Sequence, residues 1–151
     1  LGRLYYKGRI VKRDNMTAAY WYRKAANQDY VVAYNDLAWG YASCSFGCDG
    51  DKAIHWAEKL LATPSILKKE NELDTISAAY ARAGQFDKAI KYQETAISLN
   101  TKEEKANNYK TRLELYKNQQ AYTDPRFQVV VSEETADDSG ESTADADMEL
   151  Y

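Results

Sequence analysis

Few residues in this chain have the type and spacing to do chemistry. His55 is the only histidine. Beside Trp56 and ahead of Glu58 it has the outline of a general base, but a base needs a nucleophile within hydrogen-bond reach, and no Ser or Cys pairs with it in a known pattern. It reads as an ordinary helical residue. Cys44 and Cys48 stand as Cys-x3-Cys. A zinc site needs four ligands, which one His and no second Cys pair do not supply, and a thioredoxin-like motif has two intervening residues rather than three. Two readings stand: a local disulfide in an oxidising compartment, or two free thiols packed as small hydrophobes. Gly47-Cys48-Asp49-Gly50 lacks the Lys and the preceding strand of a phosphate loop. Glu103-Glu104 sits where solvation alone explains it. The expectation is a non-enzyme with no catalytic residue, metal or cofactor; an enzyme would require a catalytic domain upstream.

Charge narrows the partners. Every Lys and Arg lies at or before Arg126, so residues 1–132 hold 20 bases against 15 acids and carry +5. The remaining eight acids, from Glu133 to Glu149, give residues 133–151 a charge of -8. The bases are spread over nearly every predicted helix and interleaved with acids, which describes solvated faces rather than a nucleic-acid footprint. No apolar run approaches the roughly 20 residues of a membrane span, so no membrane insertion is expected. The cysteine pair tilts the compartment toward the periplasm or export, with the cytoplasm as alternative. The chain opens on Leu1 inside a helical pattern, as expected of a fragment or a processed product.

The elements that must position these residues come from a repeat. Leu1-Gly2-Arg3-Leu4-Tyr5, Leu37-Ala38-Trp39-Gly40-Tyr41 and Ile76-Ser77-Ala78-Ala79-Tyr80 each place a Tyr four residues after an aliphatic, with a small residue between. A second set recurs alongside: Ala18 with Tyr22 and Ala25, Ala53 with Ala57 and Leu60, Ala89 with Gln93 and Ala96. Small residues let helices approach closely, and one helix pair cannot bury its apolar face alone, so stacking follows. Breakers fall between the periodic segments: Gly8, Asp14-Asn15, Gly47 with Asp49-Gly50, Pro64-Ser65 and Gly84. The pattern predicts helices over about 1–7, 15–28, 31–44, 50–62, 69–83, 86–99 and 102–117. The last carries Tyr109, Leu113 and Tyr116 on one side and reads as a solvating C-terminal cap. Residues 127–131 form a short β-prone apolar run that docks as an extended segment or stays loose. Beyond Ser132 the composition is that of a disordered acidic tail.

These residues carry a family resemblance. Leu1-Gly2, Tyr5, Gly8, Val11, Asp14, Ala18, Trp21-Tyr22, Ala25-Ala26, Gln28 and Ala33 resemble the Sel-one-like repeat, with Asp29 at its usual Gly. Leu73, Ile76, Tyr80, Gly84, Phe86, Ala89 and Ala96 are similar to a tetratricopeptide repeat, with Ser77 at the usual Gly and Gln93 at the usual aromatic. The middle unit resembles a divergent form with a lengthened loop, where a Cys precedes Asp-Gly, here Cys44 and Asp49-Gly50. The resemblance covers residues 1 to about 118. It implies an all-α chain, an α-solenoid of stacked antiparallel helix pairs, mostly found in bacterial proteins. The units are a partial repeat over 1–33, a divergent repeat over 34–66, a repeat over 69–100, the cap over 102–118, and a linker with acidic tail over 119–151.

In such stacks the first helix of each pair lines the concave face. Mapping the units onto that pattern turns Arg3, Tyr6 and Lys7 inward, then Asn35, Trp39 and Ser43, then Asp74, Ala78 and Arg82. The expected function is a scaffold holding a peptide or protein in this groove, with the acidic tail as a possible intramolecular competitor. The alternative is a structural C-terminal segment of a longer repeat protein, whose missing N-terminal repeats or domain carry the activity. The competing reading of Trp39 is burial by a neighbouring repeat.

Overall fold

The computed structural model describes residues 1–8, 12–64 and 66–128. Among them are seven α-helices and no strand: α1 (Gly2–Lys7), α2 (Asn15–Ala26), α3 (Val31–Ala42), α4 (Gly50–Leu61), α5 (Glu70–Arg82), α6 (Phe86–Leu99) and α7 (Glu103–Lys117). Short 3-10 turns span Ile66–Lys68 and Pro125–Phe127. The chain is all-α. Each predicted helix is present, with ends within two residues of those read from the breakers. Val11, Ser65, the run from Val129 to Val131 and the whole acidic tail lie outside the described residues.

Local chemistry explains where the helices start and stop. The Asp14 carboxylate accepts from the Met16 and Thr17 amides at 3.0 Å each, capping α2. Asp49 does the same for α4 through Lys52 N–H at 2.9 Å. Each satisfies amide donors that the first helical turn leaves unpaired. Gly8 ends α1 at φ 62°, a left-handed conformation that costs glycine nothing. Asp29, where the resemblance has glycine, takes φ 57° and accepts a hydrogen bond from the Tyr34 hydroxyl at 2.8 Å.

Each helix packs on its neighbours in sequence, and α5 also packs on both α3 and α7. Ala18, Ala53, Ala57, Ala89 and Ala96 are fully buried, so their methyl groups set the closest approaches. Gly40 goes further, because a Cβ there would overlap the Phe46 ring. Leu37, Leu60, Ile66, Leu73 and Ile76 fill the spaces between, each worth about 1.5–3 kcal/mol of burial. Leu37 and Ile76 are inaccessible while Leu1, their counterpart in the repeat, is 68% exposed. The repeat aligns the three positions but not their surroundings.

The two departures from the tetratricopeptide pattern are polar joints. The Ser77 hydroxyl donates across to the Ala89 carbonyl of α6 at 2.5 Å, so α5 and α6 are held by a hydrogen bond where a glycine would leave only contact. Gln93 is inaccessible, and its amide donates to Asp74 at 2.8 Å and to the Tyr109 carbonyl at 3.1 Å. It thereby ties α6 to both α5 and α7.

Candidate functional site

A cavity of about 650 Å³ opens between α1, α3, α5 and α7, the odd-numbered helices. Its polar floor is built on Asp74 and Arg112. Arg112 Nε and Nη2 each donate to a different Asp74 oxygen at 2.8 Å, and the Gln93 amide adds a third donor. The guanidinium lies over the rings of Trp39, Tyr109 and Tyr122, with centroids 5.5, 5.4 and 5.3 Å away. Planar guanidinium groups suit this combined role, pairing with a carboxylate in plane and stacking on aromatics out of plane. Burial pushes the Asp74 carboxyl above the usual range, against the opposing pull of Arg112. Burial likewise pushes the Tyr109 phenol up to about 12.

The rim is more open. Arg3 Nε donates to Asp36 at 3.3 Å, joining α1 to α3 across the mouth. Burial raises the Asp36 carboxyl too, with Arg3 and Lys7 drawing it back. On the opposite side Asn71, which lines the cavity, accepts from Lys105 Nζ and from the Tyr109 hydroxyl. Asn35 and Asn108 also line the space, and the Asn35 oxygen is buried without a hydrogen-bond partner. Three amides and charges of both signs, backed by Trp39, can hydrogen-bond an extended main chain and accept an apolar side chain.

Four of the residues read from helix phase meet here: Arg3, Asn35, Trp39 and Asp74. Others do not. Tyr6 shares a hydrogen bond with the Ser45 hydroxyl at 3.4 Å and sets its ring edge-on to Phe46. Lys7 is exposed but outside the cavity lining, while Ser43 and Ala78 are buried. Arg82 is not part of the cavity lining. It faces inward, but its guanidinium is occupied by the chain itself, donating to the carbonyls of Ala42 and Tyr122 and to the Thr123 hydroxyl at 2.6–2.7 Å. Asp74 is likewise taken by Arg112 and forms floor rather than a free acceptor. Trp39 is half-buried, packed against the core, with the Tyr122 ring 5.7 Å away and the Arg112 guanidinium 5.5 Å from its centroid.

Sequence reasoning missed Arg112, Lys105, Asn71 and Asn108. Arg112 follows Tyr109 by three positions and precedes Tyr116 by four, so the phase of the apolar stripe already turns it inward. The covering segment after α7 carried no periodic signal.

The remaining chemistry-bearing residues lie elsewhere. His55 is exposed on α4, edge-on to Trp56 at 4.9 Å between centroids. Cys44 and Cys48 are joined by a disulfide, with Cα atoms 4.2 Å apart, and Cys44 Sγ lies 3.8 Å from the Thr123 hydroxyl. Among the described residues no group of three His, Cys, Asp or Glu side chains is placed to hold a metal ion, and no helix is long and apolar enough to cross a membrane. Comparison of the chain with protein-family models, with curated proteins and with solved structures gave no match.

Proposed function

We propose that the chain is a protein-interaction scaffold of the tetratricopeptide and Sel-one-like kind, holding an extended peptide in the cavity between its odd-numbered helices. The stacked-pair arrangement is part of this reading. It is supported by the contacts of α5 with both α3 and α7, and by the Arg3–Asp36 bond between α1 and α3. The observation that carries the functional reading is that one cavity draws side chains from all four odd helices, with amides, ions of both signs and one tryptophan standing among Val31, Val32, Leu60, Thr75 and Tyr109. Peptide recognition uses this mixture: polar groups for the main chain and an aromatic wall for an anchoring side chain.

A peptide display library selected on the whole chain tests the proposal. Enriched peptides should lose at least about ten-fold in affinity on Lys105→Glu, which reverses a charge on the rim, and on Asn108→Arg, which fills the space. Peptides that bind both variants as well as the parent would remove the cavity from the binding surface.

A further inference from the structure

Residues 120–127, which follow α7, run back over the inner face as a strap. The strap is held through both its backbone and its side chains. The Asp124 amide donates to the Ser43 carbonyl at 3.1 Å, beside the last turn of α3. Arg82 reaches from α5 to the Tyr122 carbonyl at 2.6 Å and the Thr123 hydroxyl at 2.7 Å, while its Nε stays on the Ala42 carbonyl. The Tyr122 ring lies on Trp39 and under Arg112. The strap therefore shows, within one molecule, how this face holds an extended segment: a ring on Trp39, and the next residue on Arg82.

The fit is incomplete in one respect. All three acceptors on Arg82 are neutral oxygens, and among the described residues no carboxylate pairs with it. Burial disfavours its charged form, with no anion to offset the loss of water. A carboxylate in place of the Thr123 hydroxyl would supply that anion, and hydrogen bonds between ionised groups are roughly twice as strong as neutral ones.

We propose that the strap is a displaceable occupant of the inner face, and that the partner which displaces it presents an aromatic residue followed directly by an acidic one, ring on Trp39 and carboxylate on Arg82. The proposal rests on the inner face being a peptide-binding surface and adds the identity of the anchor pair. The strap fills the Arg82 end, and the open cavity at the Arg3 and Lys105 end takes the rest of the incoming chain. An acidic side chain gives the outside peptide an interaction that the strap lacks, which offsets the strap's advantage of being tethered to the same chain.

The test uses the full chain and two fluorescein-labelled peptides: one copying residues 120–127, and one in which Asp replaces Thr at the second anchor position. Tyr122→Ala removes the ring that the strap sets on Trp39. That variant should bind the acidic peptide about ten-fold more tightly than the unchanged chain does, and several-fold more tightly than it binds the Thr peptide. Adding Arg82→Gln should abolish the preference for the acidic peptide. Equal binding by Tyr122→Ala and the unchanged chain, or an acidic preference that survives Arg82→Gln, overturns the proposal. Should Tyr122→Ala lose its helical circular dichroism, Thr123→Val replaces it, since it keeps the ring and removes one Arg82 acceptor; the same gain and the same loss are then read. Library peptides that depend on Lys105 while neither labelled peptide binds any variant would reject the anchor pair and leave the cavity reading standing.

Discussion

Two Asp–Arg pairs join odd helices in this molecule, and they differ in nearly every physical respect. Arg3–Asp36 links α1 to α3 by a single contact of 3.3 Å, with the Arg side chain 62% exposed and the Asp 21%. Arg112–Asp74 links α7 to α5 through two parallel bonds of 2.8 Å, with side chains 11% and 8% exposed. The first lines an open pocket with Leu1, Tyr22, Tyr30 and Val32, of which Leu1, Tyr30 and Val32 are exposed. The second is enclosed by Gln93, Trp39, Tyr109 and Tyr122. The same two residue types thus act as a structural joint at one end and as a wet rim contact at the other. Burial decides which, because water and mobile ions compete with the exposed pair and not with the enclosed one.

The largest effect expected from this contrast is at Arg112. Arg112→Ala leaves the Asp74 carboxylate, only 8% exposed on the cavity floor, with the Gln93 amide alone to meet it. Breaking a buried pair from one side costs about 3–5 kcal/mol, and urea unfolding should show a loss of that size. Asp74→Leu added to Arg112→Ala should recover part of it, since the orphaned charge goes with its partner. A cost under about 1 kcal/mol for Arg112→Ala would place the pair with the exposed class and end the comparison.

What the sequence made legible follows the same division. The helices were readable because they depend on local signals: a 3.6-residue apolar period, Asp14 and Asp49 at helix starts, Gly8 and Gly84 after helix ends. Four of the nine residues read from helix phase, Arg3, Asn35, Trp39 and Asp74, line the cavity, because phase points them to one side. Phase gives a direction, however, and says nothing of what meets the side chain there. Arg82 points inward as expected, and its three acceptors are oxygens of residues 42, 122 and 123, about 40 positions away. Two of those are backbone carbonyls, which every residue has, so no pattern of side-chain types announces them. Gln93 and Ser77 looked like departures from a repeat, and their physical role emerged only when Asp74, Tyr109 and Ala89 were seen opposite them.

A smaller effect is expected at the strap, where exposure is intermediate. The Asp124 carboxyl is held below the usual range, first by the hydrogen bonds from Arg126 and against a smaller opposing push from burial. An acid whose docked pKa lies below its free value, ordinarily about 3.9, binds more protons when undocked. Its contribution to the turn that Asp124 and Arg126 close within the strap, and through that turn to docking, is therefore complete above that value and is lost as pH falls through the lowered one. Hydrogen exchange at the Asp124 amide, corrected for intrinsic rate, should show protection falling several-fold across that acid window. In Asp124→Asn the protection should be lower at neutral pH and flat through the same window. A parallel fall in both proteins would assign the acid sensitivity to other carboxylates, Asp14 and Asp49 among them, rather than to the strap.

The smallest effect on stability belongs to Arg3, and there the two pairs part most clearly. Arg3→Ala removes one hydrogen bond from a side chain that is mostly in water, and the freed side-chain entropy offsets part of the loss. Asp36 keeps some access to solvent and some attraction from Lys7, so its carboxylate is not stranded as that of Asp74 would be. The cost should fall below about 1 kcal/mol. It should shrink further as added salt contracts the screening length from about 10 Å at 0.1 M to about 3 Å at 1 M. Arg3 nevertheless lines the mouth of the cavity, so a peptide bound there should lose affinity on Arg3→Ala even though the unfolding midpoint barely moves. Arg112→Ala has the opposite profile, with stability lost first and binding lost through it. A salt-independent cost near 3 kcal/mol at Arg3 would show that Asp36 is a buried charge in need of its partner, and the two pairs would then be one kind of joint used twice.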